Sequence, residues 1–385
     1  MSVPSDGHLL PCSRHLFDVP DHVAYFNVAS LAPTLRTGLA AGHDSMRLRA
    51  QPWKIGADGW FTAAEQRRAL FAALIGACAD EIALISATSY GMATAAKNLT
   101  ARPGQRVLVL ADEYPSGIYT WWRFTERTGA GMLTVARRPG QTWTEAVLDA
   151  LDERVAVVSV PQVHWTDGAL LDLEKIAEAA RAAGAALVID ASQSAGAMPL
   201  DVAALQPDFL VTVGYKWLLG PFGLGYLYVA PAHHDGLPLE ENWIVRQDSQ
   251  NFARLVDYRT AYQPGARRFD MGQRTAFELT PMATAALEQL TTWTVPKIAA
   301  TLNATTARIA AAARERGLAV SDPRGPHMLG IDTSGRAPQH LLTALGNADV
   351  HASVRGAALR ISPHLHTSKG DIDKLITALD SALGR

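Results

Sequence analysis

The chain has 385 residues, of which 48% are hydrophobic and 19% are charged, a composition typical of a globular enzyme with room for two domains. The net charge of −2 and the pI near 6.6 give no support for a nucleic-acid or membrane-surface partner, and no apolar run reaches the roughly 18 residues of a membrane span. Cys12 and Cys78 are the only cysteines, they lie in no metal-binding spacing, and the first residues lack a signal-peptide core, so we expect a cytoplasmic protein without disulfides or metal.

The N-terminal part predicts an irregular arm followed by extended and helical segments. Residues 1–21 have no regular pattern, and residues 24–33 predict an extended stretch that ends in a Ser/Pro turn. The pattern over 62–76 predicts a helix, because apolar residues recur at helical spacing. Thr62 and Glu65 open this segment with the spacing of a capping box.

Strand and helix patterns alternate between about residues 80 and 230. Short apolar runs bounded by polar residues or glycine predict buried strands, and the segments between them have helical periodicity. The predicted strands lie in 81–87, 106–110, 131–138, 154–163, 186–190, 208–214 and 223–231. This alternation predicts an α/β domain with a mostly parallel, doubly wound sheet.

The C-terminal part predicts a smaller α+β domain. A long helical region begins near residue 278 and continues past Pro296 to about residue 316. A strand, a helix, a strand pair around Gly356 and a closing helix follow. We therefore expect an N-terminal arm over 1–21, a large domain over 22–265 and a small domain over 266–385.

Two neighbouring strands of the predicted sheet deliver a carboxylate and an amine. Asp190 ends the run ALVID, and Lys216 follows the run DFLVTVG. The carboxyl ends of parallel strands form one crevice, so the two side chains are expected to lie together. A desolvated lysine is a Schiff-base nucleophile, and a buried Asp keeps a pyridine nitrogen protonated. The pair suggests pyridoxal phosphate on Lys216, although a lone Asp is more often a cap and a lone Lys a surface charge.

A phosphate site is predicted at the turn that follows the first strand of this region. Thr88 and Ser89 stand between that strand and the next helix, where backbone N–H groups and the positive helix end favour an anion. Plain N-capping by these hydroxyls is the competing interpretation.

Further polar and aromatic residues follow other predicted strands. Tyr114 could stack on a planar cofactor, with packing as an equal alternative, and His164 could contact substrate or cofactor, although a single His is more often structural. Arg355 and Arg360 flank the Gly356 turn, where an arginine could clamp a substrate carboxylate, and surface arginines are the default alternative. Trp53, Trp165 and Tyr262 hint at a pocket for a bulky side chain.

Two other enzyme classes fit the sequence less well. A nicotinamide-dependent oxidoreductase needs G-x-G-x-x-G after the first strand, where this chain has ISATSYG. A serine hydrolase needs G-x-S-x-G, and the segment around Ser194 lacks the first glycine. A non-catalytic binding protein on the same fold is a further alternative, although the presence of Lys216 argues against it.

With these residues named, the chain resembles the class V aminotransferase family of fold-type I pyridoxal-phosphate enzymes, which includes cysteine desulfurases, kynureninases and isopenicillin N epimerase-like proteins. The resemblance covers about residues 22–385 and is strongest from Asp190-x-x-Gln193 to Lys216 and the following Gly220-Pro221-x-Gly223. It implies a fold-type I transferase architecture and a homodimer with shared active sites.

The resemblance also implies roles for individual residues. Lys216 and Asp190 are implied as catalytic, with Lys216 carrying the cofactor and moving the Cα proton. The implied cofactor-binding residues are Thr88, Ser89, Tyr114, Asp190, Gln193, Tyr215, Lys216 and, toward the partner subunit, Gln273, where many members have Thr. The implied substrate-binding residues are Arg360, Asn27 and Ser30, beside the predicted contacts of His164 and Arg355.

One departure from the family affects the predicted reaction. Many cysteine desulfurases carry a catalytic Cys between the two C-terminal arginines, but here only GAAL joins Arg355 to Arg360. Persulfide formation needs a protein thiolate, so we do not expect it. The sequence predicts an amino-acid enzyme that acts through an external aldimine and Cα deprotonation. A Cβ-eliminating or kynureninase-like lyase is favoured by a small margin over a transaminase or an isopenicillin N epimerase-like racemase.

Overall fold

The structure is a computed structural model that describes residues 9–333 and 338–384. Its strands are β1 (Ala24–Tyr25), β2 (Ile82–Ile85), β3 (Arg106–Leu110), β4 (Gly131–Val135), β5 (Val155–Pro161), β6 (Ala186–Asp190), β7 (Phe209–Val213), β8 (Gly225–Val229), β9 (Leu329–Asp332), β10 (Val350–His351), β11 (Ser353–Arg355) and β12 (Ala358–Ile361). Its helices are α1 (Arg36–Arg49), α2 (Thr62–Leu74), α3 (Thr88–Asn98), α4 (Pro115–Thr128), α5 (Trp143–Ala150), α6 (Leu173–Ala182), α7 (Val202–Leu205), α8 (Thr280–Trp293), α9 (Val295–Glu315), α10 (Pro338–Asn347) and α11 (Lys369–Ala382).

A seven-stranded sheet in the order β2-β8-β7-β6-β5-β3-β4 forms the centre of the molecule. Strands β3 to β7 pair in parallel, and β8 runs antiparallel to its neighbours β2 and β7. This confirms the predicted α/β class with a mostly parallel sheet. Because β6 and β7 are parallel neighbours, their carboxyl ends open side by side at one edge.

Both faces of the sheet are buried, which explains why its strands are near-continuous apolar runs. Leu108, Val158 and Leu210 pack into the core on one face. Val107, Val157 and Val211 pack on the other face under α3 and α4. Successive side chains of a strand point to opposite faces, so each strand contributes to both cores.

The C-terminal part carries a separate small core. Strands β11, β12 and β9 form an antiparallel three-stranded sheet, and β1 pairs in parallel with β10. The N-terminal segment is tied to this part, since Ser13 N–H donates to the Leu365 carbonyl and Arg14 pairs with Asp371. In addition, α8 packs against α1 and α2. The division of the chain into a large domain over 22–265 and a small domain over 266–385 stays a proposal. The β1–β10 pairing and the packing of α8 on α1 and α2 join the two ranges.

The predicted capping box at the start of α2 was wrong. Thr62 is the first residue of α2 rather than its cap, and its hydroxyl donates to the Asp58 carbonyl. Glu65 does not close a capping box because its carboxylate binds Arg68 and Arg267. The long helical region predicted to about residue 316 is present and is divided into two helices, α8 and α9, which meet at Thr294 with φ +63°.

Within the described ranges, none of the helices combines the length and the hydropathy that a bilayer crossing requires.

Candidate active site

Lys216 lies three residues beyond the end of β7 and is almost fully buried, with 9% of its surface exposed. Its Nζ is 5.6 Å from the ring centroid of Tyr114 and 5.9 Å from that of Tyr215. Burial lowers the pKa of Lys216 to about 8, while Asp190 acts in the opposite direction and Arg360 reinforces the lowering. A neutral amine is therefore accessible near physiological pH.

Asp190 ends β6 and lines the same cavity as Lys216. Its Oδ1 accepts a 2.8 Å hydrogen bond from the Ser192 backbone N–H. Burial raises the pKa of Asp190, and the Ser192 hydrogen bonds and Lys216 oppose that rise. The cavity is lined by Thr88, Glu113, Tyr114, Pro161, Val163, Trp165, Asp190, Ser192, Gln193, Tyr215 and Lys216. The carboxylate and the amine thus face one enclosed space.

The segment between Asp190 and Lys216 is held by Gln193 and Gly196. The Gln193 Nε2 donates to the Ala29 carbonyl at 3.1 Å, and its Oε1 accepts from Trp217 Nε1 at 2.9 Å. Gly196 has φ +93°, and a Cβ there would lie 2.6 Å from the Trp217 carbonyl oxygen. The turn after β6 therefore packs directly against the lysine loop, and a side chain at Gly196 would separate the two.

The first turn of α3 offers its N-terminus to the cavity without a side-chain cap. Ala87 occupies the N-cap position, so neither Thr88 nor Ser89 caps the helix, which was the competing interpretation of these hydroxyls. The Thr88 hydroxyl instead lies 2.9 Å from the Ser192 hydroxyl, and both residues line the cavity, whereas Ser89 is exposed. Such a helix start with adjacent hydroxyls is suited to a phosphate group.

Two arginines of the C-terminal part converge on one hydroxyl. Arg360 Nη2 donates to Ser30 Oγ at 2.6 Å, and Arg355 Nη2 donates to the same oxygen at 3.3 Å. Arg360 is 1% exposed, its Nη1 donates to the Trp165 carbonyl, and its Nε has no partner among the described residues. Burial and then Arg355 lower the pKa of Arg360 to about 9. No carboxylate within the described ranges pairs with either guanidinium, which leaves them available for an anion.

Asn27 lies near this arginine pair through β-bridge pairing of its backbone with Ser362, two residues beyond Arg360. The Asn27 Oδ1 is buried and has no hydrogen-bond partner in the described part of the chain. Asn27, Ser30, Arg355 and Arg360 thus lie in one region of the structure.

The lining of the Lys216 cavity does not include the arginine pair with Asn27 and Ser30, and several other predicted contacts also lie outside it. His164 is 2% exposed, stacks on Trp143 and places its ring nitrogens near Thr166 Oγ1 and the Ala111 carbonyl, so its contacts are structural. Gln273 is exposed and outside the cavity lining. Trp53 and Tyr262 are also absent from the lining, whereas Trp165 belongs to it.

Glu113 and Ser192 line the cavity although the sequence analysis did not assign them to the site. Glu113 follows β3 by three residues, and burial raises the pKa of its carboxyl to about 7. The signal was available, since both residues closely follow a strand's carboxyl end, where the sites of parallel sheets lie.

The family model described as aminotransferase class-V matches residues 55–375. A protein described as an uncharacterized aminotransferase from Bacillus subtilis is 28% identical over 348 residues, which cover 89% of each chain. An isopenicillin N epimerase from Streptomyces clavuligerus is 29% identical, covering 83% of this chain and 84% of its own. A kynureninase from Deinococcus radiodurans is 31% identical, covering 67% and 63%.

Solved structures share the fold over nearly the whole chain. A cysteine desulfurase from Thermococcus onnurineus, solved without ligand, superimposes with a TM-score of 0.84 at 19% identity and covers 100% of this chain and 99% of its own. The cystine C–S lyase C-DES superimposes with a TM-score of 0.82 at 18% identity and covers 93% and 97%. These likenesses confirm the predicted fold-type I architecture.

The residues of the cavity fit the cofactor of this family. A buried amine, a carboxylate on the neighbouring strand and an uncapped helix start with hydroxyls match the aldehyde, ring nitrogen and phosphate of pyridoxal 5'-phosphate. The match of the family model over most of the chain supports the same cofactor. The chain belongs to the aminotransferase class-V family of pyridoxal-phosphate-dependent enzymes.

Proposed function

We propose that this chain is a lyase that acts at Cα of an amino acid and removes a substituent from Cβ. The observation that carries the proposal is the cavity in which the buried Lys216 amine faces Asp190, beside two arginines without a carboxylate partner in the described residues. An amino acid supplies the carboxylate that these arginines lack.

The proposed cofactor contacts follow from the positions of the side chains. When bound, pyridoxal phosphate supplies an aldehyde that condenses with amines and a ring that withdraws electrons from the substrate Cα. Lys216 would hold the aldehyde carbon and Asp190 the ring nitrogen. Tyr114 would flank the ring, Gln193 would approach its phenolic oxygen, and Tyr215 would approach the phosphate. The N-terminus of α3, with Thr88 and Ser89, would bind the phosphate as well.

Arg360 is the proposed anchor of the substrate carboxylate. Its guanidinium is buried, and its Nε has no partner in the described part of the chain, so it can add the bidentate bonds that carboxylates accept. Ser30 holds both guanidinium groups at one point, and the unpaired Asn27 Oδ1 is a further acceptor for a donor on the substrate. This arrangement fixes the substrate and leaves Cα toward the lysine loop.

Lys216 is the proposed base at Cα. Burial lowers its pKa to about 8, so about a tenth of the amine is free to accept a proton at pH 7, far more than in an exposed lysine. Desolvation raises the pKa of Asp190, so its charged form would be stabilised by a cationic partner such as a protonated ring nitrogen.

The lack of a cysteine near the site favours a lyase that acts without a protein thiol. Cys12 and Cys78 are exposed, and neither lines the cavity. Transamination or racemisation at Cα is the alternative outcome. The lengths of the sequence matches favour this alternative. The relatives named aminotransferase and epimerase match a larger share of this chain than the kynureninase does.

A homodimer with shared active sites is part of the proposal. Gln273 lies at the surface of the single chain, where it would reach the phosphate of a partner subunit. The exposed apolar residues Trp53, Phe252 and Tyr258 are consistent with a covered face.

The products distinguish the proposed reactions. The holoenzyme is incubated with a panel of amino acids, and pyruvate, alanine, ammonia, 2-oxo acids and the substrate's enantiomer are measured. A lyase releases alanine, or pyruvate with ammonia, together with the lost side chain. A 2-oxo acid that retains the side chain, or an enantiomer, would instead establish the alternative. Lys216→Ala should lower turnover by about 1,000-fold or more, whereas Lys297→Ala, at an exposed lysine, serves as the matched control.

A further inference from the structure

A second cavity of about 660 Å³ opens on the outer side of the proposed active site. It lies between the segments that follow β3 and β5 on one side and the β11–β12 hairpin on the other. Glu113 and Trp165 line both this outer cleft and the inner cavity with Lys216, so they stand at the boundary between the two. Arg355, which shares the Ser30 hydroxyl with Arg360, also lines this cleft, so the side chain of a substrate held at the two arginines can extend into it.

The outer cleft is rich in carboxylates. Its charged lining residues are Asp112, Glu113, Asp167, Asp332 and Arg355. Arg355 and Arg360 converge on the Ser30 hydroxyl, so a single α-carboxylate can contact both guanidinium groups. Asp167 is neutralised by Arg137 at 2.9 Å. Asp112 and Glu113 form no ion pair with any residue of the described ranges, which leaves negative charge beside the path of the side chain.

Glu113 is the carboxylate best placed to meet that side chain. Its Oε1 accepts a 2.7 Å hydrogen bond from the Tyr114 backbone N–H, whereas its Oε2 is buried and has no partner among the described residues. A buried acceptor without a partner is costly unless a ligand supplies a donor. Burial raises the pKa of Glu113 to about 7, as expected for a carboxylate that still lacks its cation.

Two aromatic rings border Glu113. The rings of Tyr114 and Trp165 are 5.4 Å apart and meet edge to face at 83°. The Trp165 indole N–H donates to the Asp112 carbonyl, which fixes the ring at the cavity boundary. Aromatic faces next to a carboxylate are a recurring environment for organic cations, because the ring quadrupole and the carboxylate attract the same charge.

We infer that Glu113 is a specificity residue that binds a cationic group on the substrate's side chain, so that the substrates are α-amino acids with positively charged side chains. This inference rests on the proposed function, since it takes the α-carboxylate to be bound at Arg360. The aliphatic part of such a side chain lies along the Tyr114–Trp165 ring pair, and its charged end meets the Glu113 Oε2.

The test compares binding of L-arginine with binding of L-citrulline, which has a similar size and a neutral end group. Binding to the holoenzyme is measured from the change in the absorbance of the bound cofactor, so turnover is not required. A hydrogen bond between charged groups predicts that L-arginine binds about 10- to 100-fold more tightly. In Glu113→Gln the preference should fall below about threefold. Glu126→Gln, at an exposed glutamate of α4, should keep it.

Equal binding of the two ligands by the wild-type protein, or a preference that survives in Glu113→Gln, would overturn the assignment of Glu113. Failure of the proposed function has a different signature. In that case no amino acid changes the cofactor absorbance, or agmatine, which lacks the carboxylate, binds as tightly as L-arginine. Tight binding of neutral amino acids with weak binding of L-arginine would overturn the cationic substrate class alone.

Discussion

Two buried groups of arginines in this molecule differ in how their charge is balanced. Arg68 is fully buried and binds Asp270 through both Nη atoms, at 3.0 and 2.6 Å, and also pairs with Glu65. Arg360 is equally buried, but among the described residues its hydrogen-bond partners are the Ser30 hydroxyl and the Trp165 carbonyl. Arg68 is therefore paired with carboxylates of the chain itself, whereas Arg360 pairs with none among the described residues and can bind an anion.

The pKa values of the two arginines move in opposite directions for this reason. Burial disfavours the charged form of each, but the Asp270 and Glu65 carboxylates overcome it and raise the pKa of Arg68. At Arg360 burial acts together with Arg355 and lowers the pKa to about 9. The two buried arginines therefore differ in whether a carboxylate of the described residues balances their charge.

The largest expected effect is on stability and tests this difference directly. Arg68→Met leaves the buried Asp270 without its cation and should lower the free energy of unfolding by about 3–5 kcal/mol. Arg360→Met removes a buried cation that has no carboxylate partner, so it should change stability by less than about 1 kcal/mol. Urea unfolding of the protein measures both. Equal losses in the two variants would contradict the comparison, and Arg123→Met, in an exposed pair with Glu126, is the control.

The second effect concerns the buried amine of Lys216, whose pKa is lowered by burial. With a pKa of about 8 rather than the ordinary 10.5, roughly half of the amine is free at pH 8, about 100-fold more than in an exposed lysine. The rate at which the cofactor-free protein captures pyridoxal phosphate should therefore rise with pH and level off above about 8. Stopped-flow absorbance measures the rate. A capture rate that keeps rising to pH 10 would show that Lys216 has the pKa of an ordinary exposed lysine.

The third effect is on substrate affinity. Arg360→Ala should weaken amino-acid binding about 10- to 100-fold, because a charge-assisted bidentate contact is lost. Arg355→Ala should weaken it less, since the distance to the shared Ser30 hydroxyl is longer, 3.3 Å against 2.6 Å. Titration of the cofactor absorbance gives both constants. An Arg355 effect larger than that of Arg360 would reverse their assigned roles.

The smallest effect concerns a buried histidine that has no counter-charge. Burial lowers the pKa of His364 to about 3, and His366 and His327 add to the lowering. The folded state keeps this ring neutral, whereas the unfolded chain binds a proton below about pH 6.5, so stability is lost as the pH falls from about 6.5 toward 3. His364→Leu should make the acid loss of stability shallower, measured by urea unfolding from pH 7 to 4. An unchanged slope would show that His364 does not contribute.

The sheet and the Asp190–Lys216 pair could be predicted from the sequence because both rest on local patterns. Apolar runs identify buried strands, and the rule for parallel sheets then brings the strand ends together. Glu65 could not be assigned correctly, since Arg267 is 202 positions away and competes for its carboxylate. The contacts of His164 could not be read from the sequence, because its partner Trp143 lies on another element. Glu113 was overlooked because a carboxylate after a strand has the same pattern whether it is buried or exposed.

The proposal that the buried amine of Lys216 carries the cofactor is tested by borohydride reduction of the purified holoprotein, followed by digestion and mass spectrometry of the peptides. A single peptide should gain the mass of reduced pyridoxal phosphate, on Lys216, with loss of the visible absorbance. Label on another lysine, or a protein that binds no pyridoxal phosphate while folded, would contradict it.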